Sequence, residues 1–120
     1  MEAKFSDLLG KTLKSIKKDD DTLTFITTEG DMYRSYHDQD CCESVIIEDV
    51  EGDLNDLIGN PILQADEETN SEDTFGKINY LDSFTWTFYK LATVKGYVTI
   101  RWLGKSNGYY SESVDFEKLY

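Results

Sequence analysis

The chain has 120 residues, 39% hydrophobic and 30% charged, the size of a single domain (1–120) able to build its own core. No run approaches the roughly 20 apolar residues of a membrane helix, and the opening MEAKFSDLLGKTL lacks the apolar stretch of a secretory signal, so a cytosolic protein is expected. The 24 acids against 12 Lys and Arg give a formal net charge of −12, which argues against direct nucleic-acid binding because no positive stripe is available for phosphates.

Short apolar–polar alternations point to a mainly β (α+β) fold with one or two short helical turns, either an antiparallel meander or a two-sheet arrangement. DLLGKTLKSI, from Asp7, reads as a helical turn that stops at Gly10, after which Leu13 and Ile16 begin a strand. Leu23 and Phe25 then alternate with Thr22 and Thr24, and Met32 to His37 forms a polar and aromatic run. The clusters Lys18-Asp19-Asp20-Asp21 and Glu29-Gly30-Asp31 are turn signals between them. DLIGNPILQA, from Asp56, echoes the first motif and raises the expectation of two similar halves. DEETNSEDTFGK, residues 66–77, reads as a mobile acidic loop. Three further runs, Phe84–Val94, Tyr97–Leu103 and Tyr109–Phe116, complete the meander around Lys95-Gly96 and Gly104–Gly108. On these runs Trp86, Phe88, Val98, Ile100 and Trp102 are assigned to the core, and Thr85, Thr87, Tyr89, Tyr97, Thr99 and Arg101 to the surface.

Charge is unevenly spread. From Ser35 to Gly76 the sequence has no Lys or Arg but thirteen acids, so the imbalance sits in the middle third. The densest cluster there is YHDQDCCESV, Tyr36 to Val45. Zinc signatures separate their cysteines by two to four residues, whereas Cys41 and Cys42 are adjacent. A calcium loop beginning at Asp38 lacks the glycine at its sixth position. A cysteine nucleophile needs a nearby base, and His37 is the sole histidine, but the surrounding acids raise a thiol pKa and suppress the thiolate. Accordingly no metal, cofactor or catalytic residue is assigned. Cys41 and Cys42 are expected to be small buried thiols without a disulfide, with Tyr36 and His37 ending the preceding strand.

The stretches YHDQDCCESV, EDVEGDLNDLIGNPIL, WTFYKLATVKGYVTIRW and SNGYYSESVDF resemble a family of small acidic proteins of bacteriophages and prophages, over about Leu8 to Phe116. The resemblance implies a phage origin and a bacterial cytosol as workplace; it implies no activity.

Two functional expectations follow. The first is a non-enzymatic decoy or inhibitor whose acidic face (Asp38, Asp40, Glu43, Glu48, Asp49, Glu51, Asp53 and Asp56) engages a basic host protein, such as a defence nuclease. Duplex DNA presents about one charge per 1.7 Å, and carboxylates two apart on a strand, about 6.6 Å, begin to imitate such a surface. The alternative is a small-molecule binder, such as a sponge for a nucleotide signal, using Arg34, Tyr36, Tyr89, Arg101, Asn107, Tyr109 and Tyr110 to grip phosphate and stack on bases. An exposed edge strand is also an expected place for homodimer formation.

Overall fold

The two-residue alternation read along the chain becomes two antiparallel four-stranded sheets in the computed structural model, which describes residues 2–19, 21–39, 42–73, 83–106 and 111–120. The strands are β1 (Leu13–Lys18), β2 (Leu23–Thr27), β3 (Met32–Tyr36), β4 (Ser44–Glu51), β5 (Gln64–Asp73), β6 (Ser83–Thr93), β7 (Gly96–Ser106) and β8 (Asp115–Lys118). Single turns of 3-10 helix, η1 (Phe5–Leu8) and η2 (Leu54–Leu57), precede β1 and β5. The first sheet has the order β1-β2-β3-β8 and the second β4-β7-β6-β5.

The echo in the sequence is an echo in space. Each half supplies a 3-10 turn and a three-stranded meander, β1-β2-β3 or β5-β6-β7. Each half then gives its last strand to the other, β8 joining β3 and β4 joining β7. The matching segments also bond reciprocally: the Gly10 N–H donates to the Ile62 carbonyl at 2.8 Å, and the Gly59 N–H to the Leu13 carbonyl at 3.0 Å. Gly10 (φ 82°) and Gly59 (φ 86°) take the left-handed conformation expected of a residue that stops a helical turn. Their neighbours Leu8, Leu13, Leu57 and Ile62 are at most 1% exposed, and full burial of each contributes about 2 kcal/mol.

One continuous core lies between the sheets, with Phe5 at its centre. The Phe5 ring stacks on Tyr89 with centroids 3.9 Å apart and meets Phe25 and Phe116 edge-on. Val98, Ile100 and Trp102 are buried as the sequence indicates, but the core face of β6 is the opposite of the expected one. Thr87, Tyr89, Leu91 and Thr93 point inward, while Trp86 and Phe88 are half-buried on the outer face. The cause is the two-residue connection Val94-Lys95: it sets Thr93 opposite Gly96 and hence Tyr89 opposite Ile100 and Thr87 opposite Trp102. Residues directly opposite share a face, so burying Ile100 and Trp102 obliges Tyr89 and Thr87 to go in with them.

Two further expectations are corrected. Residues 66–73 of the supposed loop belong to β5, each paired with a residue of β6, while 74–77 lie outside the described residues. Of residues 64–70 only Ala65 is buried, and the strand carries no apolar alternation to betray it. In the run expected over Tyr109–Phe116, residues 111–114 are not strand; β8 begins at Asp115 and is held by β3, with Arg34 opposite Glu117. Residues 107–110 lie outside the described residues. Among the described residues, no helix is long and apolar enough to cross a membrane.

Candidate functional site

His37 follows β3, where the chain turns toward β4. Because Val45 and Ile47 of β4 point inward, the same parity carries Glu43 inward and leaves Cys42 exposed. A buried carboxylate requires partners, and His37 is one: its Nε2 lies 2.6 Å from the Glu43 carboxylate, with the side chains 4% and 0% exposed. The other ring nitrogen, Nδ1, is 2.7 Å from the Ser113 carbonyl. Burial alone would lower the His37 pKa, but the hydrogen bonds to Glu43 and Ser113 and the charges of Glu43 and Asp115 outweigh it and raise it above the usual 6.5. Gln39 also closes this corner, its side-chain amide donating to the Glu43 carbonyl at 2.6 Å. Both imidazole nitrogens are therefore engaged in holding the corner.

The cysteine expectations change accordingly. Cys42 is disulfide-bonded rather than a free thiol, and the sequence has one other cysteine, Cys41, which lies outside the described residues. Among the described residues, no group of three His, Cys, Asp or Glu side chains could hold a metal.

Of the eight acids expected on one face, Glu43 is buried and the other described ones are spread over the end of β3, β4 and η2. Asp38 is exposed at the end of β3, its N–H donating to the Asp115 carboxylate at 3.1 Å; Asp40 lies outside the described residues; Glu43 is buried against His37. Arg101 engages Glu48, its Nε donating at 2.6 Å, and also lies 3.8 Å from Asp49. Glu51 ends β4, Asp53 caps η2 by accepting the Asn55 N–H at 2.9 Å, and Asp56 lies within η2. The window without bases runs through β4, η2 and β5, and β4 and β5 occupy opposite edges of the second sheet. The aromatic set fares likewise. Tyr89 is buried, Arg101 stands over Trp86 on the outer face of the second sheet, and Arg34 stacks over Tyr36 at 4.1 Å while bonding Glu117 at 2.6 Å. Asn107, Tyr109 and Tyr110 lie outside the described residues.

What the fold does gather is a different acidic surface. An open groove of about 1240 Å³ runs between the N-terminal segment and β8 on one side and β5 on the other. Its charged lining is Glu2 and Asp7, Asp38, Asp66, Glu67 and Glu68 from β5, and Asp115 and Glu117 from β8, against the single base Lys4. Some are engaged within the molecule: Glu117 by Arg34, Glu68 by Lys90 at 2.9 Å, and Asp7 by the Lys4 N–H at 3.0 Å. Glu67 stands at an exposed strand edge, yet the walls around it withdraw enough water for burial to push its carboxyl above the usual range.

Tyr89 stands directly opposite Glu67 across the β5–β6 ladder. Its hydroxyl is fully buried and has no hydrogen-bond partner among the described residues. Ser35 is close enough to act on the phenol, but no bond of sound geometry joins them, and the Ser35 hydroxyl is unpartnered too. Burial pushes the Tyr89 pKa far up, Ser35 moderates the rise, and the charges of Glu67 and Asp115 add to it. Sequence reading missed this assembly because its members come from the N-terminus, β5 and β8; the usable signals were the parity of β6 and the acids of 66–68.

A second buried carboxylate, Glu112, belongs to the frame. It accepts from Thr85 at 2.7 Å and from Ser106, and reaches Ser83 at 3.4 Å, tying the segment before β8 to β6 and β7.

Comparison with curated proteins and with solved structures found no match for this chain. A family model described as a domain of unknown function, DUF7448, matches residues 6–116, which takes in all eight strands except the last residues of β8. The chain belongs to the DUF7448 family.

Proposed function

We propose that this is a non-enzymatic accessory protein of phage or prophage origin that works in the bacterial cytosol by occupying a basic surface of a host nucleic-acid-handling protein. The observation that carries this reading is the groove, where eight carboxylates line the walls with one lysine. Such a concentration of one sign in a cleft with low-dielectric walls focuses potential and speeds encounter with cations. The phage origin and the host target rest on the family resemblance of the sequence together with this charge.

Magnitudes shape the proposal. The molecule is 47 Å long with a net charge of −12, about one charge per 4 Å, whereas duplex DNA carries about one per 1.7 Å. Local capture of a basic segment therefore fits better than imitation of a continuous duplex.

The test is competition. The protein is titrated into complexes of duplex DNA with individual bacterial defence nucleases, and DNA release is followed by electrophoresis. Release at low salt that fades as salt is raised is the expected result. The triple variant Glu2→Lys/Asp38→Lys/Asp66→Lys should abolish it, while Glu51→Lys, outside the groove, should preserve it. Equal competition by both variants, or none by the native protein against any nuclease, would refute the reading.

A further inference from the structure

The repeated architecture puts two strands in equivalent places with opposite charge. β1 and β5 each open one half of the chain, and each is the outer strand of its sheet. The residues just before them are tied together by the Thr12–Pro61 bridge and the Gly10 to Ile62 hydrogen bond, and Leu13, the first of β1, is covered by its bridge to Ile58 and the hydrogen bond from Gly59. Beyond that, among the described residues, β1 is paired only with β2 and β5 only with β6. Every second N–H and C=O along their other sides therefore has no ladder partner, with η1 packed beside β5. β1 reads LKSIKK, with Lys14, Lys17 and Lys18 exposed; β5 reads QADEETNSED, with Asp66, Glu67 and Glu68 exposed.

Charge selects which edges can meet. Two β5 edges would set carboxylate against carboxylate, and two β1 edges ammonium against ammonium, arrangements that destabilise a ladder. A β1 edge against a β5 edge sets lysines against acids.

We propose that β1 of one copy adds to the free edge of β5 in a second copy, joining the first sheet of one molecule to the second sheet of the next. The addition is antiparallel, like the ladders within the molecule, which places Lys17 and Lys18 near Glu67 and Asp66 and carries Asp19 past them toward Gln64. Because the two edges differ, the contact is head to tail and propagates into chains or rings; it does not stop at a two-fold dimer. The bulge between Leu13 and Ser15 leaves a short free run, Ser15 to Lys18, so the association is weak, reversible and strongest at low salt.

Sedimentation velocity over a wide range of concentration tests this, at about 20 and about 300 mM salt, where screening lengths differ several-fold. The expected result is an average mass that climbs with concentration at low salt without levelling at the dimer, and falls to the monomer at high salt. Lys14→Glu/Lys17→Glu/Lys18→Glu and Asp66→Lys/Glu67→Lys/Glu68→Lys should each be monomeric alone, and an equimolar mixture should associate again. A native protein that stays monomeric at low salt, one that levels at the dimer, or folded variants whose mixture stays monomeric would overturn the proposal. Amide exchange of the native protein gives a reading that does not depend on the variants folding. Protection that grows with concentration in Ser15–Lys18 and in β5 is expected, and growth elsewhere but not there would overturn the assignment.

Discussion

At Glu43 the parity of β4 forces a carboxylate into the core, and one imidazole answers it. Removing either member of such a buried pair leaves the other without compensation, at a cost of about 3 kcal/mol. The pair also carries a pH signature. The His37 pKa is higher folded than unfolded, so the protonated form is favoured by folding. Its stabilisation is fully present below about 6.5, the unfolded value, and is lost as pH rises through the folded value. Chemical denaturation of the native protein and of His37→Gln across pH 5.5 to 8.5 checks this: the gap between the two curves should narrow as pH rises. A gap that widens would show that His37 is buried as the neutral form. At the same scale, sequence shows the neighbours of His37 but not that Ser113 takes Nδ1 and Glu43 takes Nε2.

Among the elements, the β6–β7 hairpin was readable in its turn and misread in its face and its far end, since Gly104, Lys105 and Ser106, expected as a divider, continue β7. Any two-residue connection pairs odd positions of β6 with even positions of β7, so choosing Val98, Ile100 and Trp102 as core already commits Thr87, Tyr89 and Leu91 to it. The conflicting choice of Trp86 and Phe88 rested on hydrophobicity alone. β5 was unreadable for a different reason: it is an edge strand with Ala65 as its one buried residue over 64–70, and Gly, Pro or alternation signals are missing from QADEETNSED. The echoing turns were legible, since a glycine after DLL or DLI requires the left-handed conformation it indeed adopts. Gly10→Ala and Gly59→Ala should each cost at least about 1 kcal/mol, because no contact relieves the strain of a side chain at positive φ. Urea denaturation with an unchanged slope would establish the effect as native-state strain, and a loss confined to one site would mean the two turns are not equivalent.

For the whole molecule the dominant quantity is charge. Net repulsion of −12 opposes compaction and is screened by salt, with a Debye length of about 10 Å at 0.1 M. The melting temperature should therefore rise between about 10 and 200 mM sodium chloride. The native charge pattern makes a second statement: with Asp66, Glu67 and Glu68 neutralised to Asn and Gln, the gain with salt should shrink more than with Glu51→Gln, because the groove brings those three beside Asp115 and Glu117. Differential scanning calorimetry at several salt concentrations decides between a diffuse and a local origin of the repulsion.

The sequence alone determined the β class, the paired glycine-stopped turns, the hairpin positions and the confinement of negative charge to the middle third, because each is written in local periodicity, turn chemistry or composition. The tertiary structure alone decided where that charge goes. Adjacent stretches of chain diverge to opposite edges of one sheet, and strands far apart in sequence are brought together through β3–β8 pairing and the crossing of β4 onto β7. Burial, partners and the groove depend on those long-range pairings, which no local pattern encodes.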